Sequence, residues 1–322
     1  MNRTRKKTLF NHFPVMLAQT VDMLDINPQG VYVDGTLGGG GHAEEILSRL
    51  NSGRLIGIDQ DEEAIKAASS RLAKYKNFSA VKNNFHNIPE VLDGLGVQKI
   101  DGVLLDLGVS SFQIDTARRG FSYRHEGPLD MRMDTSAELT AETIVNTYDE
   151  KHIAKILFEF GEEKNSRKIA RAICNERAKD KIRTTTKLAE LVQKTSYKKR
   201  GETAHPAMRT FMALRIAVNN ELEPLPSALS SVVPYLKHGG RIAVITFHSL
   251  EDRIIKKFFK KLENPCICPR DIPYCSCGKI PELINLTKKP ITPAKSEIER
   301  SSRSHSAKLR VAQRKIEVGH GR

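Results

Sequence analysis

The chain has 322 residues, a formal net charge of +14 and a sequence pI near 9.5. This length suits one large domain or two modest ones. A protein this basic usually binds a polyanion, most often nucleic acid, with a solvated basic surface as the alternative. No apolar run reaches the ~20 residues of a membrane span, and no signal-peptide core follows the basic N-terminus. We therefore expect a cytoplasmic protein with no membrane association.

The first third of the chain alternates short apolar runs with segments of helical periodicity. Near-continuous apolar strands separated by helices are typical of a parallel sheet that helices cover on both faces. After a helical pattern at residues 15–24, strands are predicted at residues 31–34, 54–59, 78–81 and 100–107, and helices at residues 43–50, 61–74 and 88–95.

Acidic and aromatic residues follow the ends of these strands. Asp34, Asp59 and Asp106 end the first, second and fourth strands, and Phe85 follows the third. Because ligands of such sheets bind at the carboxyl ends of the strands, we expect the four side chains to line one crevice.

The alternation stops after Ser111. Residues 113–134 are typical of an ordered loop, and four helices are predicted after it, at residues 141–148, 151–160, 166–177 and 186–195. We therefore divide the chain into a first core part at residues 1–112, a helical insertion at residues 113–204 and a second core part at residues 205–322.

The second core part is predicted to return to the sheet. A long helix at residues 205–222 has Pro206 in its first turn. Further helices are predicted at residues 229–236 and 253–262, and strands at residues 241–247 and 308–315. The predicted fold class is α/β, a mostly parallel sheet with an inserted all-helical domain.

The glycine-rich turn after the first strand is the main binding signal. Gly38, Gly40 and Ala43 match the G-x-G-x-x-G/A spacing of dinucleotide-binding turns, and Asp59 follows about twenty residues later, where it can accept ribose hydroxyls. Asp34 beside the glycines would repel a pyrophosphate, whereas it suits the sulfonium and ammonium groups of S-adenosylmethionine. The turn therefore favours S-adenosylmethionine over a nicotinamide dinucleotide. A purely structural tight turn is the third alternative.

Longer motifs are spread over nearly the whole chain. They include DGTLGGGGH at residues 34–42, DLGVSSFQ at 106–113, RGFSY at 119–123, GPLDMRMD at 127–134, LRIAVNNEL at 214–222, FHSLEDR at 247–253, KPITP at 289–293 and SAKLR at 306–310. Through these motifs the chain resembles the bacterial 16S rRNA (cytosine-N4)-methyltransferases, the RsmH or MraW family.

The resemblance implies an S-adenosylmethionine-dependent enzyme with a Rossmann-like core and a helical substrate-recognition domain. The implied substrate is 16S rRNA within the small ribosomal subunit, methylated on N4 of a cytidine in the decoding (P-site) region. Two features depart from the family: four consecutive glycines, where relatives often place a bulkier residue, and a cysteine cluster that not every relative shares. By motif position, the implied cofactor contacts are Gly40, Gly41, His42, Asp59, Phe85, Asp106 and Gln113.

Asp106 is also the candidate for catalysis. N4 of cytosine is a poor nucleophile because its lone pair delocalises into the ring. A carboxylate that accepts a hydrogen bond from the amine would favour a tetrahedral nitrogen. A role in cofactor binding alone is the equal alternative.

Other side chains are candidates for contact with the RNA. The target base must leave its stack, and an aromatic ring could stack on it, with core packing as the alternative for each ring. The aromatic candidates are Phe112, Phe121 and Tyr123. The polar candidates are Arg209, Arg215 and Asn219, for which bracing of the site is the alternative, and His248, for which a purely structural histidine is the alternative.

A non-catalytic RNA-binding or ribosome-assembly factor is the alternative function. The intact Asp34, Asp59 and Asp106 around a complete glycine turn argue against it. The sequence also allows a homodimer without fixing the oligomeric state.

Four of the five cysteines, Cys266, Cys268, Cys275 and Cys277, lie close together in the sequence. The odd number in a chain without a signal peptide indicates a reducing compartment. Clustered thiolates suit a structural zinc ion, but zinc knuckles usually space their ligands as C-x2–4-C, so this assignment stays open. No catalytic metal is expected.

Overall fold

The computed structural model describes residues 14–196, 205–269, 274 and 276–315. A seven-stranded sheet lies at the centre of these residues. Its strands are β1 (Val31–Asp34), β2 (Arg54–Asp59), β3 (Phe78–Lys82), β4 (Ile100–Asp106), β5 (Leu236–Thr246), β6 (Leu283–Asn285) and β7 (Lys308–Arg314).

The sheet confirms the predicted α/β class. Its strand order is β3-β2-β1-β4-β5-β7-β6. The first five strands of this order are mutually parallel, and β7 pairs antiparallel with both β5 and β6. The chain winds from β1 towards β3 on one side and from β4 towards β5 on the other. The order therefore reverses between β1 and β4, which is where an open α/β sheet binds ligands.

Helices cover both faces of the sheet and also form the inserted part of the chain. In chain order they are α1 (Leu17–Leu24), α2 (Gly41–Arg49), α3 (Glu62–Arg71), α4 (Ile88–Gly94), α5 (Ser111–Asp115), α6 (Ala141–Thr147), α7 (Glu150–Gly161), α8 (Ser166–Arg177), α9 (Thr185–Thr195), α10 (Ala207–Asn219), α11 (Leu225–Val232), α12 (Ser249–Glu263) and α13 (Lys295–Arg300). None of the helices in the described part of the chain is long and apolar enough to cross a membrane.

Apolar residues alternate between two cores, one on each face of the sheet. Val33 and Ile56 pack with α4, α11 and α12 on one face, whereas Tyr32 and Leu55 pack with α1, α2 and α3 on the other. Successive strand residues point to opposite faces, so strands buried on both sides must be apolar throughout. This is why near-continuous apolar runs predicted them.

A third core belongs to the helical insertion. It joins the loop before α6 to α6, α7, α8 and α9, and it also takes in Phe211 and Leu214 of α10. Gly161 lets α7 approach α10 closely, because a Cβ there would lie 2.7 Å from the Arg209 carbonyl oxygen. The boundary predicted between residues 204 and 205 assigns α10 to the second core part. In the structure, this helix packs against the helices of the insertion.

Several predicted element bounds are wrong. The helix predicted at residues 229–236 occupies Leu225–Val232, because Pro226 fits a first helical turn. The helix predicted to reach residue 222 ends at Asn219, where Asn220 takes a left-handed φ of 46°. The predicted loop at residues 113–134 includes most of α5. The sequence also predicts a basic linker at residues 198–201, which lies outside the described residues.

Candidate active site

The glycine turn joins β1 to α2 and is tied to the end of β2. The Gly38 N–H donates to Asp59 Oδ2 at 2.8 Å. Gly40, the N-cap of α2, takes a φ of 75°, and a Cβ there would lie 3.2 Å from the Ala68 Cβ. Only glycine adopts this left-handed conformation without strain. The turn therefore brings the first N–H groups of α2 to the carboxyl ends of the strands, where they favour an anionic group.

Three carboxyl groups lie at this edge of the sheet, as predicted. Burial raises the pKa of Asp34 to about 7 and the pKa of Asp59 to about 6. Burial, with the charges of Asp34 and Glu251, raises the pKa of Asp106 well above its usual value. At Asp59, hydrogen bonds from the Asp61 and Gly38 N–H groups lower the pKa against the effect of burial, and the charge of Arg119 lowers it less. A cationic ligand would stabilise the ionised form of all three carboxyl groups.

Asp106 keeps an acceptor that the protein does not use. Its buried Oδ1 has no hydrogen-bond partner among the described residues. The Asp106 N–H donates to Thr36 Oγ1 at 2.6 Å, which ties the end of β4 to the turn after β1. The other carboxyl oxygen, Oδ2, lies 3.7 Å from His42 Nδ1. His42 Nε2 lies 3.1 Å from the Val15 carbonyl oxygen, so Nε2 carries the donated proton.

Arg119 is a central residue of the site whose role sequence reasoning missed. Its side chain is 3% exposed. Its Nη1 donates to Asp61 Oδ2 at 2.8 Å and to Glu63 Oε2 at 2.9 Å. Its Nη2 donates to the carbonyl oxygens of Arg132 and Met133. One guanidinium therefore ties the start of α3 to the loop before α6. No periodicity links residues this far apart in sequence, so no local signal could reveal the pairing.

Gln113 lies beside this cluster, with its amide engaged inside the protein. Its Nε2 donates to Asp61 Oδ2 at 2.8 Å, and its Oε1 accepts from the Ser110 N–H at 3.0 Å. Gln113 and Ser110 form a capping box at the start of α5. The predicted contact of Gln113 with the cofactor stays a prediction, since an amide oxygen can accept a second hydrogen bond.

Phe85 and Gly41 lie at two other positions carried over from the family motif. Phe85 is half-buried just after β3 and meets the His86 ring edge-on at 4.2 Å between centroids. Gly41 begins α2, and a Cβ there would lie 2.2 Å from Pro14 Cγ. The predicted contacts of Phe85 and Gly41 with the cofactor stay predictions.

Two of the candidate substrate residues brace the site. Arg215 is largely buried, and its Nε and Nη2 each donate to the Glu221 carboxylate at 2.8 Å. Asn219 accepts from the Met133 N–H at 2.7 Å and donates to the Met131 carbonyl oxygen at 2.8 Å. These contacts favour the bracing alternative, because Asn219 fastens the loop before α6 to α10.

The other two substrate candidates lie near the start of α12. His248 is the N-cap of α12, and its Nε2 lies 3.0 Å from Glu251 Oε1. Arg209 is half-exposed near Glu162. Glu162 accepts from Ser249 Oγ at 2.8 Å and so joins the end of α7 to the start of α12. Sequence reasoning missed this bridge as well.

The aromatic candidates differ in exposure. Phe121 is 9% exposed and belongs to the helical core. Tyr123 stacks on His205 at 4.6 Å and meets Phe211 edge-on. Phe112, in the helix that follows β4, is 41% exposed. Phe112 is therefore the ring of the three that is open to a base.

The crevice combines features that suit one kind of cofactor. The N-terminus of α2 favours a carboxylate, Asp59 ends β2 where an acid can accept ribose hydroxyls, and the buried carboxyls of Asp34 and Asp106 favour a cation. An amino-acid carboxylate, a ribose and a cationic centre are the groups of S-adenosylmethionine. The fold and crevice are those of a Rossmann-like methyltransferase that uses this cofactor.

Comparison with known proteins identifies the family. The chain belongs to the MraW methylase family, whose model matches residues 9–315. It is 52% identical over 306 residues to ribosomal RNA small subunit methyltransferase H of Carboxydothermus hydrogenoformans, covering 95% of this chain and 98% of that protein. The Clostridium botulinum (strain Kyoto) protein of the same name is 53% identical over 306 residues, covering 95% and 99% of the two chains. The predicted family, enzyme class and cofactor are thereby confirmed.

A solved structure is also similar to the chain. It is an rRNA methylase from Streptococcus thermophilus, with a TM-score of 0.41 and 11% identity, covering 93% of this chain and 96% of that one. A TM-score and an identity this low do not support a fold assignment. The fold assignment rests on the sheet order and the family.

Proposed function

We propose that the protein transfers a methyl group from S-adenosylmethionine to N4 of a cytidine in the P-site region of 16S rRNA in the small ribosomal subunit. The relatives named ribosomal RNA small subunit methyltransferase H support the rRNA substrate. The observation that carries the chemistry is the unused Oδ1 of Asp106 at the strand-order reversal between β1 and β4. The N4 amino group of cytosine is a hydrogen-bond donor, and Asp106 Oδ1 would accept a hydrogen bond from it.

The cofactor fits residues that the sequence singled out. In this proposal the N–H groups of Gly41 and His42, at the start of α2, bind the methionine carboxylate. Asp59 binds the ribose, and Phe85 offers an apolar face to the adenine. When bound, S-adenosylmethionine supplies an electrophilic methyl group on a positively charged sulfur.

Asp106 accepts a hydrogen bond more strongly, and can take up a proton, when its carboxyl group is ionised. Burial and neighbouring acids hold its pKa high in the absence of a ligand. A cationic cofactor nearby would lower that pKa. Oδ1 would then accept a hydrogen bond from an N4–H of the cytosine and stabilise the positive charge that develops on this nitrogen. The nitrogen–carbon bond would form as the sulfur–methyl bond breaks, which leaves S-adenosylhomocysteine, and the amine would then lose that proton to the Asp106 carboxylate.

The exposed surface supplies groups that suit RNA. Helix α12 buries Phe258 and Phe259 and exposes the lysines at residues 256, 257, 260 and 261. Such cations would contact phosphates and make the affinity depend on salt. Phe112 would stack on the target base after the base has left its stack in the RNA. The helical insertion, as the substrate-recognition domain, would hold the surrounding RNA.

A transfer assay tests the proposal. Small subunits that lack the modification are incubated with the protein and labelled S-adenosylmethionine, and label is expected in the rRNA. At saturating S-adenosylmethionine, which separates the rate of transfer from any change in cofactor affinity, Asp106→Asn should transfer the methyl group at least tenfold more slowly. Asp93→Asn, an exposed acid on α4, should leave the rate unchanged. Absence of label in rRNA, or a fully active Asp106→Asn protein, would contradict the proposal.

Two further predictions accompany this function. A cytoplasmic location follows from a ribosomal substrate. The homodimer that the sequence allows also stays a prediction, and the mass of the protein in solution tests it.

A further inference from the structure

A loop at residues 263–281 leaves α12 and returns at β6. Its ends are held together, because the Glu282 N–H donates to the Leu262 carbonyl oxygen at 2.9 Å. Between them the loop exposes Ile267 by 69%, Tyr274 by 83% and Ile280 by 75%. A segment that leaves its largest apolar side chains in solvent gains little stability from burial. Small units of this kind are commonly held by a metal ion or a disulfide.

Three cysteines of this loop converge. The Sγ atoms of Cys266, Cys268 and Cys277 all lie within 4.8 Å of one another. They come from both Cys-x-Cys pairs, which are separated by the middle of the loop. Tetrahedral zinc has Zn–S distances of about 2.3 Å, which place its sulfur ligands about 3.8 Å apart. Small side-chain rotations would bring the three sulfur atoms to that spacing.

The backbone around the second pair supports the sulfur cluster. The Ser276 N–H donates to Cys268 Sγ at 3.4 Å. Hydrogen bonds of this kind orient a metal ligand and favour its thiolate form. Gly278, directly after Cys277, takes a left-handed φ of 63° and turns the chain away from the cluster.

We propose that Cys266, Cys268 and Cys277 bind a structural zinc ion that closes this loop. Cys275, the remaining member of the second pair, lies outside the described residues. Binding would release the thiol protons of the three cysteines to solvent. The ion would stabilise the junction of α12 with β6 and take no part in methyl transfer.

Metal analysis of the full-length protein, purified under reductant and without chelator, tests this inference. We expect one zinc per chain. Protein reloaded with cobalt should show the thiolate charge-transfer and ligand-field absorption of a tetrahedral sulfur site. Cys266→Ser, Cys268→Ser and Cys277→Ser should each lose the metal. Cys174→Ser, which alters a cysteine of α8, should keep it.

Other outcomes would overturn the inference. These are the absence of metal with no cobalt spectrum, or a disulfide among these cysteines in protein prepared under reductant. Chelator should also expose residues 263–281 to limited proteolysis, and an equally resistant loop would contradict a structural role.

Discussion

Single carboxyl groups give the crevice its chemistry. Asp34, Asp59 and Asp106 are buried at the ends of β1, β2 and β4, and their pKa values are all raised. Burial shifts each of them towards its neutral form, and a nearby positive charge would shift each back towards the ionised form. Cofactor binding and proton release should therefore be coupled.

This coupling gives a pH prediction. The folded-state pKa of Asp34 is raised from 3.8 to about 7, so the free protein should lose stability as pH rises through this range. A bound cation lowers the pKa, so affinity for S-adenosylmethionine should rise with pH through the same range. Calorimetry in buffers of different ionisation enthalpy should detect proton release on binding. S-adenosylhomocysteine, which lacks the sulfonium charge, should release fewer protons. Equal release by both ligands would contradict this explanation.

Phe112 carries a prediction about the RNA. Phe112→Ala should leave cofactor affinity unchanged and lower kcat/KM for the small subunit, because stacking on a base contributes about 1–3 kcal/mol, or about five- to 150-fold. Phe158→Ala is the matched control, since Phe158 is an exposed phenylalanine on α7, 63% accessible. Equal kinetic effects of the two substitutions would rule out stacking by Phe112.

At the scale of elements, the turn between β1 and α2 has two glycines of left-handed φ, Gly38 and Gly40, and Gly40 is also packed against Ala68 of α3. Gly40→Ala should lower the free energy of unfolding by about 1–2 kcal/mol because of its left-handed conformation, and it should weaken cofactor binding by displacing the start of α2. Thermal unfolding and cofactor titration measure the two effects. Gly39→Ala is the control for stability, because a Cβ at Gly39 meets no atom within 4 Å. A Gly40→Ala protein as stable as Gly39→Ala would refute a requirement for glycine at this position.

The loop before α6 depends on the Arg119 guanidinium. Arg119→Met leaves the buried Asp61 carboxylate without its cation, which should cost about 3–5 kcal/mol and raise amide exchange in the loop and at the start of α3. Arg118 is the neighbouring control, because its 63% exposed side chain pairs with Glu63 at the surface, where such a pair contributes at most about 1 kcal/mol. Similar losses for Arg118→Met and Arg119→Met would contradict the assigned role of Arg119.

The hydrophobic pattern within single segments predicted most of the helices and strands. It predicted fewer of the contacts between them. The long apolar runs of β2 and β4 and the periodic helices of the insertion were readable, since each signal lies within one segment. β6 was missed because Leu283–Asn285 is too short to show a period. The pairings of Arg119 with Asp61 and of Glu162 with Ser249 join distant segments. The sequence placed Arg215 and Asn219 near the site but could not tell bracing from substrate contact.

At the scale of the whole molecule, a sheet domain and a helical core share α10. Phe211 and Leu214 pack this helix into the helical core, while Asn219 at its end fastens the loop before α6. A net charge of +14 accompanies this arrangement. An acidic crevice for a cationic cofactor thus lies within a basic protein that suits a polyanionic substrate.

The position of the transferred methyl group tests the central claim most directly. Small subunits lacking the modification are methylated with labelled S-adenosylmethionine, their rRNA is digested to nucleosides, and the labelled nucleoside is identified by chromatography and mass spectrometry. We predict that the label lies on the exocyclic nitrogen, as N4-methylcytidine, in the P-site region. Label on a ring carbon, on another base or on protein would contradict the account.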